Sequence, residues 1–460
     1  MAATGWKTVS DYVHSLGLDA YLVGGGVRDE LLGRPAKDED FVVPGVGHAE
    51  LVEALRPHGR VEDLEVGGQL VGVRLYPRDP AARSLAPAGI EFAPPRTERS
   101  TGPGRHDFVI VADASIPLEQ DMRRRDFTIN AIARRVATGE LLDPLGGADD
   151  LRRGVLRTVS PTSFREDPLR LVRALRFVSQ LDVEPDDATL AQMRDEAESV
   201  RIVSGERVGG GLAADGLGEL SKLVLGRRPA HALRLARDTG VLVHLLPEYA
   251  PAVGYAQDSP RQHLTLDEHL FTAVQAAADE GARLEVRLAA LLHDLGKPEA
   301  DAAGGDHAAV GARVASAVLR RLRYPTRLRR HVVRIVAEHA FLEPHDPEAV
   351  DARRFLHRCG EQLALDLLAH KRADLLAKAG VDRELAGLER LRVLVEEERG
   401  SAYRLDRLAV DGGDLIAIGI EPGPRLGRVL AQLLEQVVEE PRRNTREQLL
   451  DDARRLAEDP

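Results

Sequence analysis

The sequence predicts an α+β protein: an N-terminal head with a small mixed sheet, followed by an all-α remainder. Three observations lead there. Short apolar runs broken by Gly and Pro are confined to roughly the first 140 residues. From about Asp149 onward they give way to Leu-, Ala-, Arg- and Glu-rich stretches of helical composition. The 460 residues leave room for about three domains at ~150 residues each. In chain order, Tyr21–Val23, Phe41–Val43, Leu70–Tyr76, Gly89–Phe92 and Phe108–Ala112 are expected strands, with a helix over Ala49–Arg56. Residues 78–105, rich in Pro, Gly and Arg, are expected to form a mobile loop with little regular structure. The divisions fall at 1–140 for the head, 141–210 for a neck, 211–260 for a helical body, 261–385 for a further helical domain and 386–460 for a helical tail.

Composition narrows the function. With 43% hydrophobic and 30% charged residues the chain is expected to be a soluble globular protein. No apolar run approaches the ~20 residues that span a bilayer, and no signal pattern opens the chain. The one cysteine, Cys359, excludes an internal disulfide framework and fits the reducing cytoplasm. A net charge of −11 argues against non-specific coating of nucleic acid, and 4% aromatics against extensive base stacking. RNA binding would therefore need a local basic surface.

The most informative stretch is residues 22–43, LVGGGVRDELLGRPAKDEDFVV. Gly24, Gly25 and Gly26 let backbone N–H groups approach a phosphate without an intervening Cβ. Asp38 and Asp40 sit two apart before an apolar run, so on a strand both carboxylates share a face. Such a pair calls for a cation, and hard oxygens suit Mg²⁺ with substrate phosphates. Glu91, in Ile90-Glu91-Phe92, offers a third carboxylate for two-ion phosphoryl transfer. Arg123, Arg124 and Arg125 can neutralise a triphosphate, and Asp126 and Asn130, four apart, share a face if the segment is helical.

Residues 164–177, FREDPLRLVRALRF, place Pro168 in the first turn of a helix with Leu171, Val172 and Leu175 packed inward. Asp167, Arg170, Arg173 and Arg176 recur every three residues along it. A carboxylate beside a guanidinium complements cytosine and adenine, which both present an amino donor next to a ring-nitrogen acceptor. Guanine and uracil present the reverse and would leave both groups unpaired. Further on, His293-Asp294 ends an apolar helix, with His269 upstream and His307, His339 and Asp374 downstream. Burying such a pair is costly unless it binds something, and imidazole with carboxylate suits a divalent metal. For His345, His357 and His370 the default of a packed or solvated side chain is kept.

Taken in order, these strings resemble class II tRNA nucleotidyltransferases and bacterial poly(A) polymerases of the polymerase-β-like superfamily. The match runs over Gly24–Asp40, Arg123–Ala131, Asp143–Leu151 and the Glu166-Asp167-x-x-Arg170 motif. His269, His293-Asp294 and Asp374 resemble the HD phosphohydrolase pattern, and residues 411–450 the tail of HD-bearing CCA-adding enzymes. The resemblance implies that Asp38, Asp40 and Glu91 hold Mg²⁺ and that Gly25, Arg28, Arg124 and Asp126 serve the nucleotide. It implies further that Asp167, Arg170, Arg173 and Arg176 select CTP and ATP for addition to the tRNA 3′ end, and that the HD residues hold an unidentified divalent metal. Addition of poly(A), of CC alone or of A alone stays open, as does an HD phosphohydrolase whose head only binds nucleotide or RNA.

Overall fold

The computed structural model describes residues 6–35, 39–66, 68–100, 108–210, 216–257, 261–341 and 346–458; Asp38 and His345 lie outside them. The chain divides into two compact units, residues 1–247 with 321–324, and residues 248–320 with 325–460.

The first unit contains a mixed sheet built from β1 (Tyr21–Val23), β2 (Asp40–Val42), β3 (Gly59–Val66), β4 (Gln69–Pro77), β5 (Ile90–Ala93), β8 (Ala133–Arg135) and β9 (Leu141–Leu142). Its order is β3-β4-β5-β2-β1-β8-β9. Only the β2–β5 pair is parallel, and it sets Asp40 beside Glu91 and Phe41 beside Phe92. Alternation then puts the two rings, 5.6 Å apart and stacked, into the core and both carboxylates on the other face. Helices α1 (Gly25–Leu31) and α2 (His48–Leu55) accompany the sheet, and α2 buries Leu51 and Leu55 in the core with Phe41 and Phe92.

Residues 78–105 depart from expectation where they are described. Asp79 Oδ1 caps the Ala82 N–H at 2.9 Å and Pro80 sits in the first turn, so a helix forms over Pro80–Leu85. Arg96–Ser100 (β6) pairs with Phe108–Ala112 (β7) as a separate ribbon. Strand β3, which the apolar pattern also missed, is a polar edge strand bonded only to β4.

Helix α3 (Leu118–Arg123) precedes β8, and after β9 the unit becomes mainly helical. The helix α4 (Leu169–Leu181) buries Leu171, Val172, Leu175 and Val178 completely. It packs against α5 (Glu219–Val224) and the helix Pro229–Asp238. The second unit is all helix among its described residues. Its site-bearing elements are α6 (Leu266–Asp279), α7 (Leu284–Leu292), α8 (His307–Arg321), α9 (Thr326–Glu338) and α10 (Glu361–Leu376).

Candidate active site and buried metal centre

An open cleft of ≈ 1150 Å³ lies on the carboxylate face of the sheet. Gly24 and Gly25, Arg28, Asp40, Glu91, Arg124, Arg125, Asp126, Asp167, Arg170, Arg173 and Arg176 all line it. The cleft thus brings together most of the described transferase residues expected from the sequence, though not Gly26 or Arg123. Asp38 lies outside the described residues.

The glycine turn has a steric reason. Gly24 sits at φ 66°, and a Cβ there would lie 2.5 Å from Nη1 of Arg125. Arg28 is pinned: Nη1 donates to Asn130 Oδ1 at 2.7 Å, while Nε and Nη2 donate to Asp29 Oδ1. Of the three consecutive arginines, Arg124 and Arg125 line the cleft and Arg123 is exposed outside it. Both are held by Asp121, a fully buried carboxylate that also accepts the Arg96 N–H. Burial pushes the Asp121 carboxyl up, but the two guanidiniums prevail and keep it below the usual range. Sequence reasoning passed over Asp121, although its spacing of three and four residues from its partners was a legible signal.

Asp126 and Asn130 do not share a helix. Helix α3 ends at Arg123, and Thr128–Asn130 is a 3₁₀ turn. The two side chains still meet, Asn130 Nδ2 donating to Asp126 Oδ1 at 2.9 Å. Asp126 Oδ2 receives Arg173 Nε at 2.7 Å. Burial raises the Asp126 carboxyl, but Arg173, Asn130 and Arg170 outweigh it and hold it far below the usual range. The following Asp143–Asp150 turn is a brace. Asp143 accepts the Gly147 and Ala148 N–H groups, and Asp150 accepts Thr128 Oγ1 at 2.7 Å.

The stripe on α4 faces the cleft as expected, while Glu166 of the same motif is exposed and bonds Thr162 Oγ1. Asp167 Oδ1 accepts the Leu169 N–H at 3.1 Å, and Oδ2 accepts Arg207 Nη2 at 2.7 Å. Arg170 donates to Ser163 Oγ at 2.9 Å and to the Arg124 carbonyl at 2.7 Å. Arg173 and Arg176 share Glu219, and Arg176 lies 4.2 Å over the Phe177 ring. Burial pushes the Arg176 guanidinium down to about 10, partly offset by Glu219. Arg207 and Glu219 stand some 40 residues from their partners, and no local spacing announces them.

The carboxylates facing the cleft fit a hard divalent ion: Asp40 and Glu91 are register neighbours on adjacent strands, and both offer oxygen. Glu91 is additionally ion-paired with Arg74.

In the second unit, His269 of α6, His293 and Asp294 at the end of α7, His339 just after α9 and Asp374 of α10 converge, all at most 4% exposed. Nε2 of His269 lies 3.1 Å from Asp374 Oδ1, and Nε2 of His293 lies 3.5 Å from that oxygen. Nε2 of His339 lies 3.4 Å from Asp294 Oδ1, and His307 Nε2 3.8 Å from it. His370, which the sequence left as a packing residue, belongs here too, its ring centroid 4.9 Å from that of His293. Asp294 Oδ1, Asp374 Oδ1 and both ring nitrogens of His370 are buried without a well-aligned hydrogen bond. Burial lowers the His269 and His370 imidazoles, favouring the neutral, metal-ligating form, whereas at His293 burial is outweighed by Asp294 and Asp374, which push it up to about 9. Burial raises both carboxyls, but the imidazoles, Lys297 and Lys378 prevail and keep them ionised. This donor set fits a divalent cation.

Known proteins resemble the chain along its length. Residues 20–157 match the family described as "Poly A polymerase head domain", residues 182–253 "Probable RNA and SrmB- binding site of polymerase A", and residues 308–453 "tRNA nucleotidyltransferase domain 2 putative". The Multifunctional CCA protein of Xanthomonas campestris pv. campestris (strain B100) is 36% identical over 435 residues, covering 89% of this chain and 96% of that one. The Multifunctional CCA protein of Azoarcus sp. (strain BH72) is 40% identical over 334 residues, covering 70% and 74%. Among solved structures, the Bacillus stearothermophilus CCA-adding enzyme in complex with CTP superposes with a TM-score of 0.66 at 26% identity, covering 98% of each chain. The Thermotoga maritima CCA-adding enzyme complexed with tRNA shares the fold, with a TM-score of 0.57 at 20% identity over 97% of this chain and 94% of that one. Near-full-length relatives and a cleft of the expected composition agree: the chain belongs to the class II CCA-adding tRNA nucleotidyltransferases.

Proposed function

We propose that this chain adds CMP and AMP, from CTP and ATP, to the 3′ end of tRNA without a nucleic-acid template, releasing pyrophosphate. One observation carries the reading: a single cleft joins the glycine turn, two metal-type carboxylates, a pair of cleft-facing arginines and the Asp167–Arg170 pair. Arg124 and Arg125, aimed by Asp121, grip the triphosphate, and Arg28 adds a pinned guanidinium beside the Gly25 turn. Asp167 accepts from the exocyclic amino group of cytosine or adenine, and Arg170 donates to the adjacent ring nitrogen. Each Asp167 oxygen already carries one donor and keeps a second lone pair for the base. Arg173 and Arg176 complete the stripe, their directions set by Asp126 and Glu219. Asp40 and Glu91, with Asp38, would hold Mg²⁺. Bound there, the ion supplies a more acidic 3′-hydroxyl and charge neutralisation on pyrophosphate.

In this reading residues 1–140 are the catalytic head, 141–210 the neck that reads the base, 211–260 the body, 261–385 an HD domain and 386–460 the tail. The setting is the cytoplasm, in keeping with a free, buried Cys359. Among the described residues, no helix is long and apolar enough to cross a membrane.

The test is to incubate the protein with tRNA lacking its 3′ terminus, Mg²⁺, and CTP and ATP singly and together. Addition of CC with CTP and completion with ATP is expected. Absence of extension sinks the proposal, and long A tracts on generic RNA would replace it with poly(A) synthesis. The His–Asp cluster supports a second activity, metal-dependent phosphoester hydrolysis, with His269, His293, Asp294 and Asp374 as ligands. If hydrolysis were the main activity, Asp40→Ala would leave it intact while His293→Ala abolished it.

A further inference from the structure

Phe177 of α4 lines the transferase cleft yet is only 1% exposed, so its ring has no open face on which a base could stack. Three guanidiniums meet that ring instead. The guanidinium carbon of Arg176 lies 4.2 Å from the ring centroid, that of Arg28 5.3 Å and that of Arg173 5.5 Å. All three fall within the ~6 Å reach of cation–π attraction. Arg173 and Arg176 belong to α4 itself, whereas Arg28 comes from α1. The ring is held from behind by Phe127, a completely buried side chain whose ring centroid is 5.6 Å away at an interplanar angle of 87°.

Ion pairing does not account for this gathering. Arg28 pairs with Asp29, Arg173 with Asp126 and Glu219, and Arg176 with Glu219. Among the described residues no carboxylate pairs with all three arginines, and the Phe177 ring is the group they share. Three like charges drawn together repel, the more so where water is scarce. The side chains of Arg28 and Arg176 are each only 12% exposed. The electron-rich faces of the ring offset part of that repulsion without adding a net charge. A carboxylate in its place would gather the same groups, but it would cancel positive charge that phosphates are to meet and compete for the divalent ion. A leucine would fill the space and attract none of them.

We infer that Phe177 is a positioning residue for nucleotide binding: its π faces gather Arg28, Arg173 and Arg176 into one site for CTP or ATP, and it acts through them without touching the nucleotide. The inference rests on the transferase reading of the cleft. The role depends on the electron density of the ring rather than on its shape, which separates it from packing.

Fluorine withdraws that density and barely enlarges the ring. The experiment installs phenylalanine carrying one, two or three ring fluorines at position 177 of the full chain. The Kd for CTP is then measured by calorimetry with Mg²⁺ and without tRNA, and the melting temperature reports the fold. The logarithm of Kd is expected to rise steadily with the number of fluorines, reaching about tenfold weaker binding with three. The same series at Phe164, which also packs against Phe127, is expected to leave Kd unchanged. Phe177→Leu, which keeps an apolar side chain and removes the π faces, should weaken CTP binding at least as much as three fluorines do. Should that variant not fold, the fluorinated chains, nearly the same in shape as wild type, carry the test alone. Unchanged Kd along the series at position 177, or an equal trend at position 164, overturns the role of Phe177 and leaves the transferase reading standing. Failure of wild type to bind CTP overturns the reading of the cleft itself.

Discussion

Asp167 is held at both oxygens before any nucleotide arrives, by the Leu169 N–H and by Arg207. A pre-aimed acceptor discriminates through the mismatch it imposes on the wrong base. Asp167→Ala is therefore expected to reduce the preference for CTP over UTP, measured as the ratio of kcat/KM values, by about 100-fold or more. An unchanged ratio would remove Asp167 from base selection. Asp126 gives a prediction in pH. Its folded carboxyl lies below the unfolded value of roughly 3.9, so its contribution to stability is complete above that value and fades as pH falls through the depressed folded one. Asp126→Asn removes that contribution, so its melting temperature should lie below the wild type's at neutral pH and the gap should narrow steadily as pH falls below about 4. Stripe and motif carboxylates were legible because their partners are chemistry, announced by residue type. Arg207 and Glu219 were not, because their only signal is a long-range approach that folding creates.

Among the elements, the α4 helix was the most readable: a proline in its first turn, an inward face of Leu171, Val172 and Leu175, and a polar stripe opposite. Leu175→Ala is expected to cost about 2–5 kcal/mol in denaturant melts, since the site is completely buried. The glycine turn was readable in kind but not in cause. Gly24→Ala should destabilise by about 1–3 kcal/mol from the positive φ. It should also raise the KM for CTP, because the new Cβ meets Nη1 of the triphosphate-gripping Arg125. Unaltered CTP kinetics in a folded variant would contradict that. Strand β6 and edge strand β3 went unread for one reason: their pairing partners, rather than their own apolar pattern, make them strands.

At the scale of the molecule, the transferase cleft and the His–Asp cluster belong to different compact units. Their chemistries should separate. His293→Gln is expected to leave tRNA extension within about twofold of wild type while abolishing high-affinity Mn²⁺ binding in that unit, whereas Asp40→Asn should lower extension by more than about 100-fold with Mn²⁺ binding by the cluster intact. Loss of both properties in either variant would argue that the units do not act independently. The α+β head followed by helices was legible from where apolar runs stop. The gathering of six buried groups from α6, α7, α9 and α10 was half legible. His293-Asp294 stood out by adjacency, whereas His370 looked like any helix histidine until α10 brought it beside the others.

The β2–β5 pairing has one more consequence. Asp40 and Glu91 are neighbours only because two strands lie in parallel and in one particular alignment. A slip of a single residue would turn one carboxylate to the opposite face and bring Phe41 or Phe92 out of the core. Catalytic competence is thereby a proofreading mark for assembly of the head. Misaligned molecules would be silent, so the fraction of activity regained after refolding counts the chains that found the right strand alignment.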